Sequence, residues 1–140
     1  MYIKEYPEIL NHPNTRVTYI RKKIRRKVIN DQPIYYSQGE KRGVMISFIN
    51  PNDPNMICMG WSICNSIDKW DHVNGVKVKN FGKNLAISRA FKLIEPNRET
   101  HIPDTIFNLF YSFFENSQKY YLNPEKEGNA NKKMSFALLY

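Results

Sequence analysis

Two apolar runs, Val44-Met-Ile-Ser-Phe-Ile49 and Met56-Ile-Cys-Met-Gly-Trp-Ser-Ile63, flank the polar insert Asn50-Pro-Asn-Asp-Pro-Asn55. Proline presets φ, and asparagine bonds its own backbone, so the insert reads as a turn and its flanks as paired strands. Upstream, Val17, Ile20, Ile24 and Val28 recur at helical spacing. The β-branched and aromatic content of Arg16 to Asn30 favours extended backbone, and the segment is read as strand. Residues 1–14, with Pro7, Pro13 and two asparagines, read as a surface lead-in.

After Asp68 the pattern shortens. His72-Val73 and Val76-Lys77-Val78 flank Asn74-Gly75, the dipeptide best suited to a type I′ turn because both residues accept positive φ. Gly82 opens a helical stretch from Lys83 to about Ile94. Leu85, Ala86, Ala90, Leu93 and Ile94 form its apolar face, Asn84, Ser88 and Lys92 face away, and Pro96 stops it. A longer helix is predicted from Pro103 to Leu122, with Pro103 in the first turn and Asp104 complementing the helix dipole. Its Phe and Tyr residues cover more than one face, which predicts an oligomer contact beside the core contact. Residues 123–133 read as a mobile segment. The apolar tail 134–140 is expected to dock as an edge strand or across a subunit boundary. The pattern predicts a single α+β domain: a small antiparallel sheet with two helices packed on one face, in a homo-oligomer (a dimer or higher).

Composition narrows the class. The 140 residues suit one domain, and 41% hydrophobic content supports a packed core. No apolar run approaches the ~20 residues of a membrane-spanning helix. The N-terminus lacks the apolar stretch of a secretory signal, so a cytoplasmic protein is expected. Cys58 and Cys64, if they share a strand, lie about 20 Å apart, too far for a bridge. They read as thiols in a reducing compartment. His12, His72 and His101 show no metal-ligand spacing with them, so no metal and no other cofactor is expected. The net charge of +8 favours anionic partners.

Candidate chemistry gathers between Gly60 and Ala90. Bases bind by stacking on aromatic faces, each stack worth about 1–3 kcal/mol. Trp70, beyond the strand, is the better candidate for this, while Trp61 reads as core. Asp68 fits a turn-capping carboxylate as well as a ligand contact. Phe81-Gly-Lys-Asn84 precedes a helix, whose free N–H groups suit a phosphate. Arg89, flanked by alanines at Ala86 and Ala90, fits either a bidentate phosphate contact or a structural ion pair. Arg21-Lys-Lys-Ile-Arg-Arg-Lys27 holds six basic residues in seven. It fits a phosphate-backbone grip, but a solvated edge that resists aggregation is the commoner use. There is no paired His and nucleophile, no nucleophile elbow and no phosphate-binding Walker loop, which argues against an enzyme.

Two segments together, Gly60-Trp-Ser-Ile-Cys-Asn65 continuing to Asp68-Lys-Trp-Asp71, and Gly82 with Leu85-Ala86 and Arg89-Ala90, resemble the pattern of the first Thoeris anti-defence family of phage proteins. The resemblance covers about 30 residues. Trp70 stands where the pattern has Phe, and the gap to Gly82 is longer by about the Asn74-Gly75 hairpin. The resemblance implies an oligomeric sponge in the bacterial host cytoplasm. Such a protein sequesters, without cleavage, the cyclic ADP-ribose isomer made by a TIR-domain defence enzyme, and some members hold cyclic oligonucleotides at a second site. Through the motifs it implies ligand contacts at Asn65, Asp68, Trp70 and Arg89, to which Phe81 is added as a second stacking ring. Trp70 then meets the adenine, Arg89 and the helix N-terminus hold the pyrophosphate, and Asn65 with Asp68 address ribose hydroxyls. The alternatives are a basic nucleic-acid-binding accessory protein and a nucleotide-degrading phosphodiesterase.

Overall fold

The elements follow the hydrophobic pattern closely. In chain order they are α1 (Pro7–Leu10), β1 (Arg16–Arg21), β2 (Ile24–Ile29), β3 (Gln32–Tyr36), β4 (Lys41–Asn50), β5 (Asp53–Ile63), β6 (His72–Val73), β7 (Val76–Lys77), α2 (Phe81–Lys92), α3 (Phe107–Tyr121) and β8 (Ser135–Ala137). These come from a computed structural model that describes residues 3–22, 24–36, 39–64, 69–92, 102–122 and 135–137.

β1, β4 and β5 form an antiparallel sheet, with Tyr19 opposite Val44 and Val44 opposite Ser62. The β4–β5 turn is tightened by Asn50, whose Oδ1 accepts the Asn52 N–H at 2.9 Å, so β5 starts already at Asp53. The tail docks as an edge strand: β8 runs parallel to β5 along Met56–Cys58. The 123–133 segment lies outside the described residues.

The α+β class holds, but the two helices do not share a face. Along β4 and β5 successive side chains alternate between two cores. Val44, Ile46, Phe48 and Cys58 pack with Ala86, Ile87 and Ala90 of α2. Met45, Ile57, Met59 and Trp61 pack with Phe110, Phe113 and Tyr121 of α3. Central strands covered on both sides read as near-continuous apolar runs, which is the pattern of Val44–Ile49.

Two glycines let α2 approach. A Cβ on Gly60 would lie 2.0 Å from the Ala86 carbonyl oxygen and 3.0 Å from the Ala90 Cβ. Ser62, fully buried, donates its hydroxyl to the Gly82 carbonyl at 2.7 Å and ties β5 to the first turn of α2. The residues expected as a loose lead-in dock on this same helix. Ile9 enters the core, the Tyr6 N–H donates to Asn84 Oδ1 at 3.0 Å, and the Tyr6 hydroxyl meets Ser88 Oγ at 3.1 Å. Asn84 is therefore buried rather than facing solvent, because the N-terminal backbone supplies the donor that its amide needs.

On the opposite face the Arg16 guanidinium lies 5.2 Å from the ring centres of both Phe113 and Tyr120, and it donates to Ser117 Oγ at 2.7 Å. The buried Tyr121 hydroxyl sits 2.6 Å from the Asn14 carbonyl and 3.0 Å from that of Ser47, and burial pushes its pKa up to about 12. The outer side of α3 leaves Phe107, Leu109 and Tyr111 about half exposed. No helix among the described residues is long and apolar enough to cross a membrane.

Candidate functional site

The stretch from Lys69 to α2 folds back on itself and delivers Trp70 to the start of the helix. Asn74 and Gly75, with φ of 51° and 79°, turn the short β6–β7 hairpin as their sequence predicts. The Val78 N–H returns to the Asp71 carbonyl at 2.7 Å and the Phe81 N–H to the Val78 carbonyl at 3.1 Å. This brings the Asp71 carboxylate to the Gly82 N–H at 2.8 Å. The helix N-terminus that the sequence assigned to a phosphate thus already holds a carboxylate of the chain, which complements the helix dipole in the same way.

Trp70 lies on that first turn. A Cβ on Gly82 would fall 2.1 Å from Trp70 Cη2, so only glycine leaves room for the indole there. The ring is half-buried against the α2 core and meets Tyr19 of β1 edge-on, with centroids 6.4 Å apart and planes at 89°. Such a pair adds about 0.5–1.5 kcal/mol beyond its buried area.

Tyr19 collects cations from three elements. Lys41 Nζ lies 4.1 Å from its ring centre, Lys83 Nζ 5.6 Å and the Arg21 guanidinium carbon 5.8 Å. Arg21 also donates to the Gly39 carbonyl at 3.2 Å. Among the described residues none of the three forms an ion pair with a carboxylate. Three like charges gathered on one phenol ring repel one another, and a bound anion relieves that repulsion. The cluster offers point-charge donors and two aromatic surfaces: it can hold a phosphate-bearing group beside a flat ring.

Of the sequence-predicted residues that the structure describes, Trp70 alone lies in this cluster. Asn65 and Asp68 fall outside the described residues. Phe81 opens α2 half-buried and makes no ring contact with Trp70 or Tyr19. Arg89, about 10 Å further along the helix from Gly82 at 1.5 Å per residue, belongs to another contact. Its guanidinium carbon stacks 4.2 Å above the Trp61 ring, and Nη1 donates to the Trp61 carbonyl at 3.2 Å. This closes the β5 edge beyond the end of β8, and burial there lowers the Arg89 pKa. Trp61 is core, as expected, and among the described residues its buried Nε1–H meets no acceptor.

Tyr19, Lys41 and Lys83 were missed by sequence reasoning. They meet only through β1–β4 pairing and the docking of α2, and no local spacing signals that. The two motif halves, by contrast, touch directly: Gly60 on Ala86 and Ala90, Ser62 on Gly82, Trp61 on Arg89 and Trp70 on Gly82.

A further concavity lies elsewhere. A groove of about 830 Å³ runs between the N-terminal arm and the β4–β5 turn, lined by Tyr6, Phe48 and Phe91 among others. Two of its polar side chains are engaged within the chain: Thr15 donates to the Ile9 carbonyl at 2.6 Å, and His12 Nδ1 accepts the Asn14 N–H at 3.0 Å. Three cations without a carboxylate partner among the described residues make the Tyr19 cluster the stronger candidate. Among the described residues no group of three His, Cys, Asp or Glu side chains could hold a metal ion.

No family model matches the chain, and neither a curated protein nor a solved structure shows significant similarity to it.

Proposed function

We propose that the chain captures a small phosphate-bearing nucleotide without converting it, using the cluster of Tyr19, Trp70, Lys41, Lys83 and Arg21. The observation that carries this reading is three cations around one tyrosine, without carboxylate partners among the described residues, beside a second aromatic ring. The lysines and Arg21 neutralise the phosphates, and the half-buried Trp70 ring offers the stacking face for the base. Asn65 and Asp68, a few residues before Trp70, remain the ligand contacts that the sequence motif suggests for ribose. Arg89 is assigned to the Trp61 edge rather than to the pyrophosphate.

The first ligand to test is a cyclic ADP-ribose isomer, the signal suggested by the resemblance of Gly60–Asp71 and Gly82–Ala90 to phage anti-defence sponges. In that reading the protein acts in the cytoplasm of an infected bacterium, withholding the signal from its effector. Titration calorimetry of the wild-type chain and of Lys41→Gln/Lys83→Gln tests the assignment. Removal of two charge-assisted contacts at about 1.5 kcal/mol or more each predicts at least a hundredfold weaker binding. Equal affinity in the double variant rules out this cluster as the site.

A further inference from the structure

Of the basic segment Arg21–Lys27, the nucleotide reading uses Arg21 and leaves the rest unassigned. We propose that the β2–β3 ribbon is a DNA-binding arm that lies in the major groove of a B-form duplex. The pairing of β1 with β4 continues past the sheet through the Lys22 N–H to the Glu40 carbonyl at 2.9 Å and the Gly39 N–H to the Lys22 carbonyl at 3.2 Å. Beyond these bonds, and among the described residues, β2 and β3 pair with each other alone, as a separate two-stranded sheet. Asn30 and Asp31, with φ of 51° and 62°, close the tip in a tight two-residue turn.

Among the described residues no third strand extends the ribbon, and a two-stranded ribbon by itself is marginal in water, which favours a partner that orders it. The charge identifies that partner. Six of the seven residues from Arg21 to Lys27 are basic, and Asp31 is the one acid between residues 24 and 36. Blocking edge-to-edge aggregation does not need such a run: a single charge or proline on an edge serves, and β3 carries Pro33 and no cation. The bases Arg25, Arg26 and Lys27 stand together on β2, with Arg26 an extra residue between the paired positions Arg25–Tyr35 and Lys27–Ile34.

Dimensions favour DNA over RNA. The six-residue strand is about 20 Å long. The major groove of B-DNA, about 12 Å wide, admits a two-stranded ribbon. The deep, narrow major groove of A-form RNA does not.

The test uses the full chain and a fluorescein-labelled 24-base-pair DNA duplex, read by anisotropy between 50 and 200 mM NaCl. Arg25→Gln/Arg26→Gln/Lys27→Gln leaves Arg21, Lys41 and Lys83 in place. Loss of three phosphate contacts should flatten the log–log salt slope by roughly 2.7. The three contacts therefore account for roughly a 40-fold fall in wild-type affinity over that salt range. The far-UV spectrum of the variant and its binding of small phosphates should stay unchanged. The proposal is overturned if the wild-type chain does not hold the duplex at 50 mM salt, or if the variant keeps the full slope. It is equally overturned if double-stranded RNA or single-stranded DNA binds as tightly as the duplex. A drop in the sedimenting mass of the variant with its DNA binding intact would make the ribbon a contact between copies instead.

Discussion

Replacement of Gly82 by alanine separates the role of Trp70 from ordinary helix energetics. Gly82 sits inside α2 without a positive φ, where alanine is normally favoured by about 0.8–1.0 kcal/mol. The added Cβ, however, would lie 2.1, 2.3 and 2.9 Å from three carbons of the Trp70 ring. Carbon atoms rest at about 3.5–4.0 Å, so the indole rim must retreat by more than about 1 Å. That lifts the ring from the helix and breaks its edge contact with Tyr19. Overpacking of this kind costs about 1–3 kcal/mol. The propensity gain offsets part of it, which leaves Gly82→Ala destabilised by roughly 0–2 kcal/mol. With Trp70→Ala already present the clash is gone, and the same change should stabilise by about 0.8–1.0 kcal/mol. Urea unfolding of the two single variants, the double variant and the wild type, followed by far-UV circular dichroism, measures the coupling. A stabilisation of the same size in both backgrounds would refute the seating of Trp70 on α2.

Gly60→Ala meets the Ala86 backbone carbonyl at 2.0 Å, which cannot swing aside as a side chain can. A loss above about 3 kcal/mol or failure to fold is expected, and an unchanged urea midpoint would contradict the close approach of α2 to β5. Tyr121→Phe removes the hydroxyl bonded to the Asn14 and Ser47 carbonyls, at a cost of about 1–2 kcal/mol at neutral pH. Its pKa is raised on folding from 10.0 to about 12, so the wild-type chain binds more protons folded than unfolded in that window. Wild-type stability should therefore fall as pH rises from 10 to about 12, and the variant should lose that share of the slope; identical slopes would count against the buried hydroxyl. Cys58 is fully buried with its pKa pushed up to about 12, chiefly by desolvation. Iodoacetamide at pH near 8 should label it only after unfolding, as read by peptide mass spectrometry, and rapid labelling of the native chain would contradict that burial.

Much of the fold was legible because its signals are local. Asn50 to Asn55 marks the turn between the two central strands, Asn74-Gly75 marks the small hairpin, and β-branched residues mark β1 and β2 against their helical spacing. The opposite-face placement of the helices was also written in the chain, in the unbroken apolar run of β4, yet it was read as a strand signal alone. The N-terminal arm was misjudged because two prolines and two asparagines obscured Ile9 and Tyr6. Those residues dock only because Asn84 and Ser88, far along the chain, present matching polar atoms. Trp70 was singled out because a tryptophan beyond a strand end is conspicuous. Its surroundings were not, since Tyr19, Lys41 and Lys83 look like ordinary surface residues until β1 pairs with β4 and α2 docks across them. The motif glycines turn out to serve packing: Gly60 admits the helix backbone and Gly82 admits the indole.

Capture without conversion is tested most directly by incubating the chain with a cyclic ADP-ribose isomer, filtering, then heating the retained protein and analysing the released material by chromatography. Depletion of the free ligand by the wild-type chain, its intact return on heating, and no depletion by Lys41→Gln/Lys83→Gln are the expected results. A converted product, or no depletion by the wild-type chain, would contradict the assignment.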